Sequence, residues 1–191
     1  PLFKKLGELG ILGITVDTHH GGSGMDAVAA VIAHEELSAA DPSFCLSFLA
    51  HSMLFANNVS QNANEEQKAR YLPGASTGDL ICGMCMSEPG AGTDVMGMST
   101  TAKKTADGAS YILNGAKMWI SNSPFADIAI VWAKNEEGRI KGVIVERGMQ
   151  GFTTPETHNK WSLRASATGE LVFDNVKMPK ENILPNKDGL G

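Results

Sequence analysis

The chain has 191 residues, 42% hydrophobic, 19% charged and 6% aromatic, with a formal net charge of −5; this is a globular profile with enough apolar sequence for one large core or two small ones. No basic block could neutralise a run of phosphates, which argues against nucleic acid as a partner, and the apolar stretches break well before the ~20 residues of a membrane span. Cys45, Cys82 and Cys85 are too few and odd in number for a disulfide framework, so free thiols in a reducing compartment are expected, and the first ten residues lack a signal-peptide layout.

Upstream of Gly78 the apolar residues follow helical spacing; downstream they alternate with a period near two. An α+β chain is expected, with a helical domain over 1–78 and a β-domain over 79–191. Residues 25–40 place Val28, Val31, Ile32 and Leu37 near one face of a helix that opens after Gly21-Gly22-Ser23-Gly24, stops at Asp41-Pro42 and should bury that face. Residues 43–59 are apolar on nearly all sides through Phe44, Leu46, Phe48, Leu49, Met53, Leu54 and Phe55, as in a helix inside a cluster. A third helix begins at Asn64, with Glu65 and Glu66 in its first turn and Gln67 at the capping-box position. Pro73-Gly74 is expected to stop it.

Six short strands follow, at 80–86, 110–113, 117–121, 127–133, 141–146 and 169–176. Asp107-Gly108, Asn114-Gly115 and Glu137-Gly138 supply the positive φ of tight turns, and Asn114-Gly115 between two strand-like runs predicts a hairpin. A small antiparallel barrel or sandwich fits this pattern. No internal repeat or low-complexity tract is present.

The run Met84-Cys85-Met86-Ser87-Glu88-Pro89-Gly90-Ala91-Gly92-Thr93-Asp94 leads from a strand into a loop with two glycines. A P-loop needs a Gly-Lys-Ser/Thr ending, and a dinucleotide fingerprint needs a third glycine where Val95 stands, so both are excluded. Taken alone, the loop is either a plain turn or a place where backbone N–H groups approach an anion, with Ser87 and Thr93 as neutral hydrogen-bond partners. Trp119 and Ser121 share one face of an ideal strand and Met118 and Ile120 the other; an indole and a hydroxyl could then lie side by side, although a core aromatic explains Trp119 equally simply.

Together with Tyr111-Ile112-Leu113-Asn114-Gly115-Ala116-Lys117-Met118-Trp119-Ile120-Ser121-Asn122, that run resembles the signature of the acyl-CoA dehydrogenases. The resemblance continues through residues 64–73 upstream and 160–168 downstream, in family order, and covers essentially the whole chain. It implies FAD as cofactor. By that resemblance Met84, Cys85, Met86, Ser87, Gly92 and Thr93 would line the flavin, Thr93 would also touch acyl-CoA, Trp119 and Ile120 would lie along the flavin with the indole stacked, and the Ser121 hydroxyl would reach flavin N5. The implied reaction is α,β-dehydrogenation of an acyl-CoA to the enoyl-CoA. Electrons would pass to an electron-transferring flavoprotein, from a homotetramer in the bacterial cytoplasm or the mitochondrial matrix. An acyl-CoA oxidase on the same fold, or a non-catalytic module that binds FAD or acyl-CoA, is the alternative.

In the family the catalytic base is a glutamate of a C-terminal helical domain. The chain's last residues, Asn186 to Gly191, fall about where that domain would begin, so a partial protein without it is expected, inactive alone and with no catalytic residue to name. Glu88 lies inside the cofactor motif, where the resemblance implies a structural position. Residues 163–169 look like glutaryl-CoA dehydrogenases, whereas residues 46–52 are closer to isovaleryl-CoA dehydrogenases. Cys45 falls where glutaryl enzymes place the arginine that binds the distal carboxylate, so a short or branched uncharged acyl chain is expected.

The smaller signals are structural. Cys82 and Cys85 have redox-motif spacing, but three residues apart on a strand they face opposite sides. His19, His20, His34, His51 and His158 form no zinc-type cluster with the cysteines, so no metal is expected. Of the nine methionines, only Met84 and Met86 are assigned to the site.

Overall fold

A computed structural model describes residues 2–185; the expectation placed on Asn186 to Gly191 lies outside them. The helices are α1 (Leu2–Glu8), α2 (Ala27–Ala40), α3 (Pro42–Leu49) running on through a π-helical stretch, Ala50–Asn57, into α4 (Asn58–Asn62), and α5 (Glu65–Thr77). Asp41 ends α2 and caps α3, its carboxylate accepting from the backbone N–H of Ser43 and Phe44; Pro42 at the first helical position has no N–H to leave unsatisfied. Asn64 and Gln67 form the expected capping box on α5, side chain to backbone in both directions.

Two helical expectations are corrected. Pro73 lies within α5, which continues to Thr77 and ends on Gly78 at φ 74°. A proline removes one hydrogen bond from a helix, but Tyr71, Leu72 and Ala75 are buried around it, so packing carries the helix through. The apolar face of α2 is not buried: Val28, Val31 and Ile32 are 64%, 56% and 53% exposed, and Ala30 is the helix's one buried residue.

The strands are β1 (Cys82–Cys85), β2 (Thr101–Lys104), β3 (Ser110–Ser121), β4 (Ile128–Lys134), β5 (Ile140–Glu146), β6 (Phe152–Thr153) and β7 (Thr168–Pro179). They form one sheet in the order β1-β4-β2-β3-β7-β6, with β5 on β4. The ladder is antiparallel except where β1 and β2 run parallel to β4, so the sheet is mixed. β2 and β6 are too short to show a period in the sequence.

The hairpin expected at Asn114-Gly115 is absent; β3 runs straight through it, paired with β7 on both sides. The register shifts between Leu113 and Gly115, making a bulge rather than a turn. Gly115 is required there, because at φ 139° a Cβ would meet Thr100 Oγ1 at 2.5 Å. Asn114 is held by Asn175 across the ladder, accepting from its backbone N–H at 2.8 Å. Gly108 and Gly138 do take positive φ, in the connections β2–β3 and β4–β5.

Each face of the sheet carries a core. Ile128, Ile130, Ile144 and Cys82 pack against Phe55, Val59, Tyr71 and Leu72 of the helices. Ala129, Val131, Val143, Val145 and Cys85 turn the other way, toward Leu113, Ile120, Leu171 and Phe173. Cys82 and Cys85 thus lie in opposite cores, and burial pushes both thiols up, away from the reactive thiolate form.

His51 fastens the helices to the sheet. It is fully buried, with Nε2 2.9 Å from the Ala75 carbonyl and Nδ1 accepting from the Cys82 N–H at 3.1 Å, which fixes a neutral tautomer. Burial lowers its pKa from 6.5 to about 4, although the Ala75 carbonyl favours the charged form. Between those values the unfolded chain binds more protons, so stability is complete above about pH 6.5 and falls as pH drops toward 4, by on the order of 3 kcal/mol. Denaturation across that range should show this slope and find it flattened in His51→Gln; an unchanged slope in the variant would contradict the assignment.

Candidate functional site

Beyond β1 the chain turns tightly at Glu88-Pro89-Gly90-Ala91, where the Glu88 N–H donates to the Ala91 carbonyl at 2.9 Å and the Ala91 N–H returns to Glu88 at 3.2 Å. A Cβ placed on Gly90 or Gly92 would meet nothing within 4 Å, and neither has positive φ. No described residue requires glycine at these positions. What the two glycines leave is a stretch of uncovered backbone, the arrangement a closely approaching ligand needs.

This loop is fixed to β3 by a buried ion pair. Lys117 Nζ donates to Glu88 Oε1 at 2.8 Å, and the two side chains are 0% and 2% exposed. Lys117 also donates to the Met86 carbonyl at 3.0 Å. The other Glu88 oxygen accepts from the Ser99 N–H and hydroxyl at 2.6 and 2.8 Å, and Oε1 from the Thr100 N–H at 3.0 Å. Burial alone would push the Glu88 carboxyl up, but the hydrogen bonds from Lys117, Thr100 and Ser99 prevail and hold it at about 2. A carboxyl so stabilised as the anion is a poor proton acceptor at neutral pH.

Past Lys117, β3 departs from ideal alternation. Its register against β7 shifts between Lys117 and Ile120, so two residues oppose one. Trp119 takes φ 59° and stands 68% exposed, while Ile120 is buried. Parity counted on a flat strand therefore does not describe Trp119 and Ser121, whose relation is set by the bulge. A left-handed backbone costs a bulky residue about 1–3 kcal/mol and an exposed indole forgoes burial, so an aromatic held in both conditions marks a candidate site. The Met118 N–H donates to the Ser87 carbonyl at 2.9 Å, joining bulge and loop directly.

The sequence-predicted residues divide by exposure. Trp119, Gly92 and Thr93 are exposed, and Met84, Met86, Ser87 and Ser121 are half-buried. Cys85 and Ile120 have their side chains in the core beneath, so any contact with an outside group would come from their backbone. Sequence reasoning missed three organising residues: Lys117, Asn122 and Lys160. Lys160 Nζ donates to Leu163 O and Thr168 Oγ1, each at 2.9 Å, and to Ser166 O, shaping the segment 160–168. The Ser166 N–H then donates to Ser43 Oγ at 3.0 Å, docking this segment on α3.

Two family models match the chain: acyl-CoA dehydrogenase, N-terminal domain, over residues 1–79, and acyl-CoA dehydrogenase, middle domain, over 83–176. A mitochondrial isovaleryl-CoA dehydrogenase of Pongo abelii is 44% identical over 192 residues, covering 97% of this chain and 45% of that protein. A glutaryl-CoA dehydrogenase of Mycobacterium smegmatis, solved in complex with FADH2, superposes with a TM-score of 0.94 at 40% identity, covering 99% of this chain and 48% of the other. Butyryl-CoA dehydrogenase of Megasphaera elsdenii gives 0.91 at 38% identity, covering 100% and 51%. The chain thus spans about half the length of the relatives it matches.

Removing one partner of the buried pair leaves the other charge uncompensated. Lys117→Met should cost about 3–5 kcal/mol in chemical denaturation, and Lys117→Met combined with Glu88→Gln should recover a good part of it. A single variant within 1 kcal/mol of the unaltered protein would contradict the pair's place in the site.

Proposed function

Because the chain belongs to the acyl-CoA dehydrogenase family, we propose that it carries the FAD-binding side of an active site that dehydrogenates a short or branched acyl-CoA between its α and β carbons. The observation that carries this reading is the strained, exposed Trp119 fastened beside an uncovered two-glycine loop by Lys117 and Glu88. A flat aromatic group laid across the indole would cover the exposed ring and gain a stacking contact with it. The residues fit FAD: an apolar platform, half-buried hydroxyls at Ser87 and Ser121, and open backbone at Gly90 and Gly92.

When bound, FAD supplies the hydride acceptor that no amino-acid side chain can replace. The chain's own residues orient it. Trp119 would fix the plane of the ring and the Ser121 hydroxyl would offer it a hydrogen-bond donor, with Met84 on β1 and Met86 and Ser87 just beyond it bordering the ring. Gly92 and Thr93 would meet the cofactor, and Thr93 the thioester as well. Glu88 is set aside as the proton-abstracting base, since Lys117, Ser99 and Thr100 occupy its oxygens and hold it ionised down to about pH 2. We assign the base to none of residues 2–185.

The acyl preference rests on Cys45. Its side chain is buried in α3 and donates to the His34 carbonyl at 3.4 Å, which offers no positive charge to a distal carboxylate. Burying such a carboxylate unpaired costs several kcal/mol, which favours an uncharged chain such as isovaleryl. Electron-transferring flavoprotein is the proposed acceptor, and the division near Gly78 the proposed domain boundary.

The test uses protein expressed from its complete reading frame. It should purify with a flavin absorption band that isovaleryl-CoA bleaches without oxygen and glutaryl-CoA bleaches far more slowly. Trp119→Ala should weaken FAD binding about tenfold through the lost stack. Purification without flavin would refute the cofactor assignment, and faster bleaching by glutaryl-CoA would refute the acyl preference.

A further inference from the structure

β1 and β3 carry the two halves of the site, yet they are not neighbours in the sheet; β4 and β2 stand between them in its order. No ladder of backbone hydrogen bonds therefore sets the spacing of Met84–Ser87 from Trp119–Ser121. At one end the gap is bridged by Lys117 to the Met86 carbonyl and by Met118 to Ser87. At the other end it is bridged by the side chain of Asn122.

Asn122 is fully buried and its Nδ2 gives both hydrogens, to the Cys82 carbonyl of β1 at 3.0 Å and the Ser47 carbonyl of α3 at 2.9 Å. Its backbone N–H donates to the Ala167 carbonyl at 2.9 Å, and its own carbonyl accepts from Phe125 and Ala126. Four segments converge on this residue. The backbones come close here too, since a Cβ on Gly83 would lie 3.2 Å from the Ser121 carbonyl. Asn122 has φ 69°, a conformation asparagine tolerates better than most residues. Asparagine meets both demands where its closest rivals at this φ do not, because a carboxylate has no hydrogens for two carbonyls and glycine has no side chain.

We propose that Asn122 is a positioning residue that sets the distance between β1 and the Trp119–Ser121 end of β3, and so the width of the slot that receives the flavin. The inference rests on the FAD reading above and adds to it the residue that holds the slot at the end away from Lys117. Asn122→Gly is the informative variant: it fits φ 69° without strain and removes only the amide.

In protein from the complete reading frame, Asn122→Gly should bind FAD about tenfold more weakly, because binding must then also order a slot that Asn122 no longer holds at its width, with an unchanged far-UV circular dichroism spectrum. In flavin-free protein, backbone amides at 83–87 and 118–121 should exchange at least about tenfold faster, while those of β5 and β7 away from the site keep their rates. Should Asn122→Gly not fold, Asn122→Asp serves, and its exchange defect should shrink when acid protonates the carboxyl and restores one donor. Unchanged FAD affinity, or unchanged exchange in either segment, overturns the proposal. Failure of the unaltered protein to bind FAD refutes the proposed function alone, and the exchange rates then still decide whether Asn122 spaces the strands.

Discussion

The hydrogen bond from Lys117 to Glu88, closed off from water, is the contact on which the site's geometry depends. Placing an ammonium and a carboxylate in a core costs several kcal/mol per ion, recovered only when the remaining donors and acceptors are satisfied. Here they are. Lys117 also serves the Met86 carbonyl, and Glu88 collects Ser99 and Thr100 from the far side of the loop. Hydrophobic residues of equal volume could fill the same space, but they would not dictate which loop atom meets which strand atom. The pair's contribution is register: it ties residues 86–100 to β3 two positions before Trp119.

That anchoring explains how a tryptophan is kept in a conformation it disfavours. The bulge after Lys117 is bounded by the buried ammonium on one side and by Asn122 on the other, and Met118 is held by Ser87. Between such fixed ends the chain must accommodate one extra residue, and φ 59° at Trp119 is where it does so. The indole consequently projects outward instead of joining the core beneath, where Ile120 packs with Leu171 and Val145. Strain, exposure and a neighbouring open loop are three separable observations that coincide at one place, which is what a preorganised ligand platform requires.

Much of this was legible in the sequence where local chemistry decides. The capping box at Asn64 and Gln67, the stop at Asp41-Pro42, the opposed faces of Cys82 and Cys85, and the turns at Gly108 and Gly138 all followed from short-range rules. Where tertiary pairing overrides a local signal, the reading failed. Asn114-Gly115 has the chemistry of a hairpin, but β7 offers twelve residues of partner strand and the chain stays extended. Pro73 has the chemistry of a helix stop, but its neighbours are buried. The spacing of Val28, Val31 and Ile32 reported that α2 has an apolar face, not what covers it. Lys117 was invisible because lysine in a strand ordinarily points to water, and only the tertiary fold brings the Glu88 carboxylate to it.

The most direct measurement is a carbon-13 NMR titration of the Glu88 side-chain carboxyl. If Lys117, Ser99 and Thr100 stabilise the anion as the geometry indicates, its resonance keeps the ionised position through the ordinary glutamate range around 4.5 and moves only toward about pH 2. Titration of Glu88 in that ordinary range would show that no buried charge pair joins the loop to the strand, and the site described above would lose its anchor.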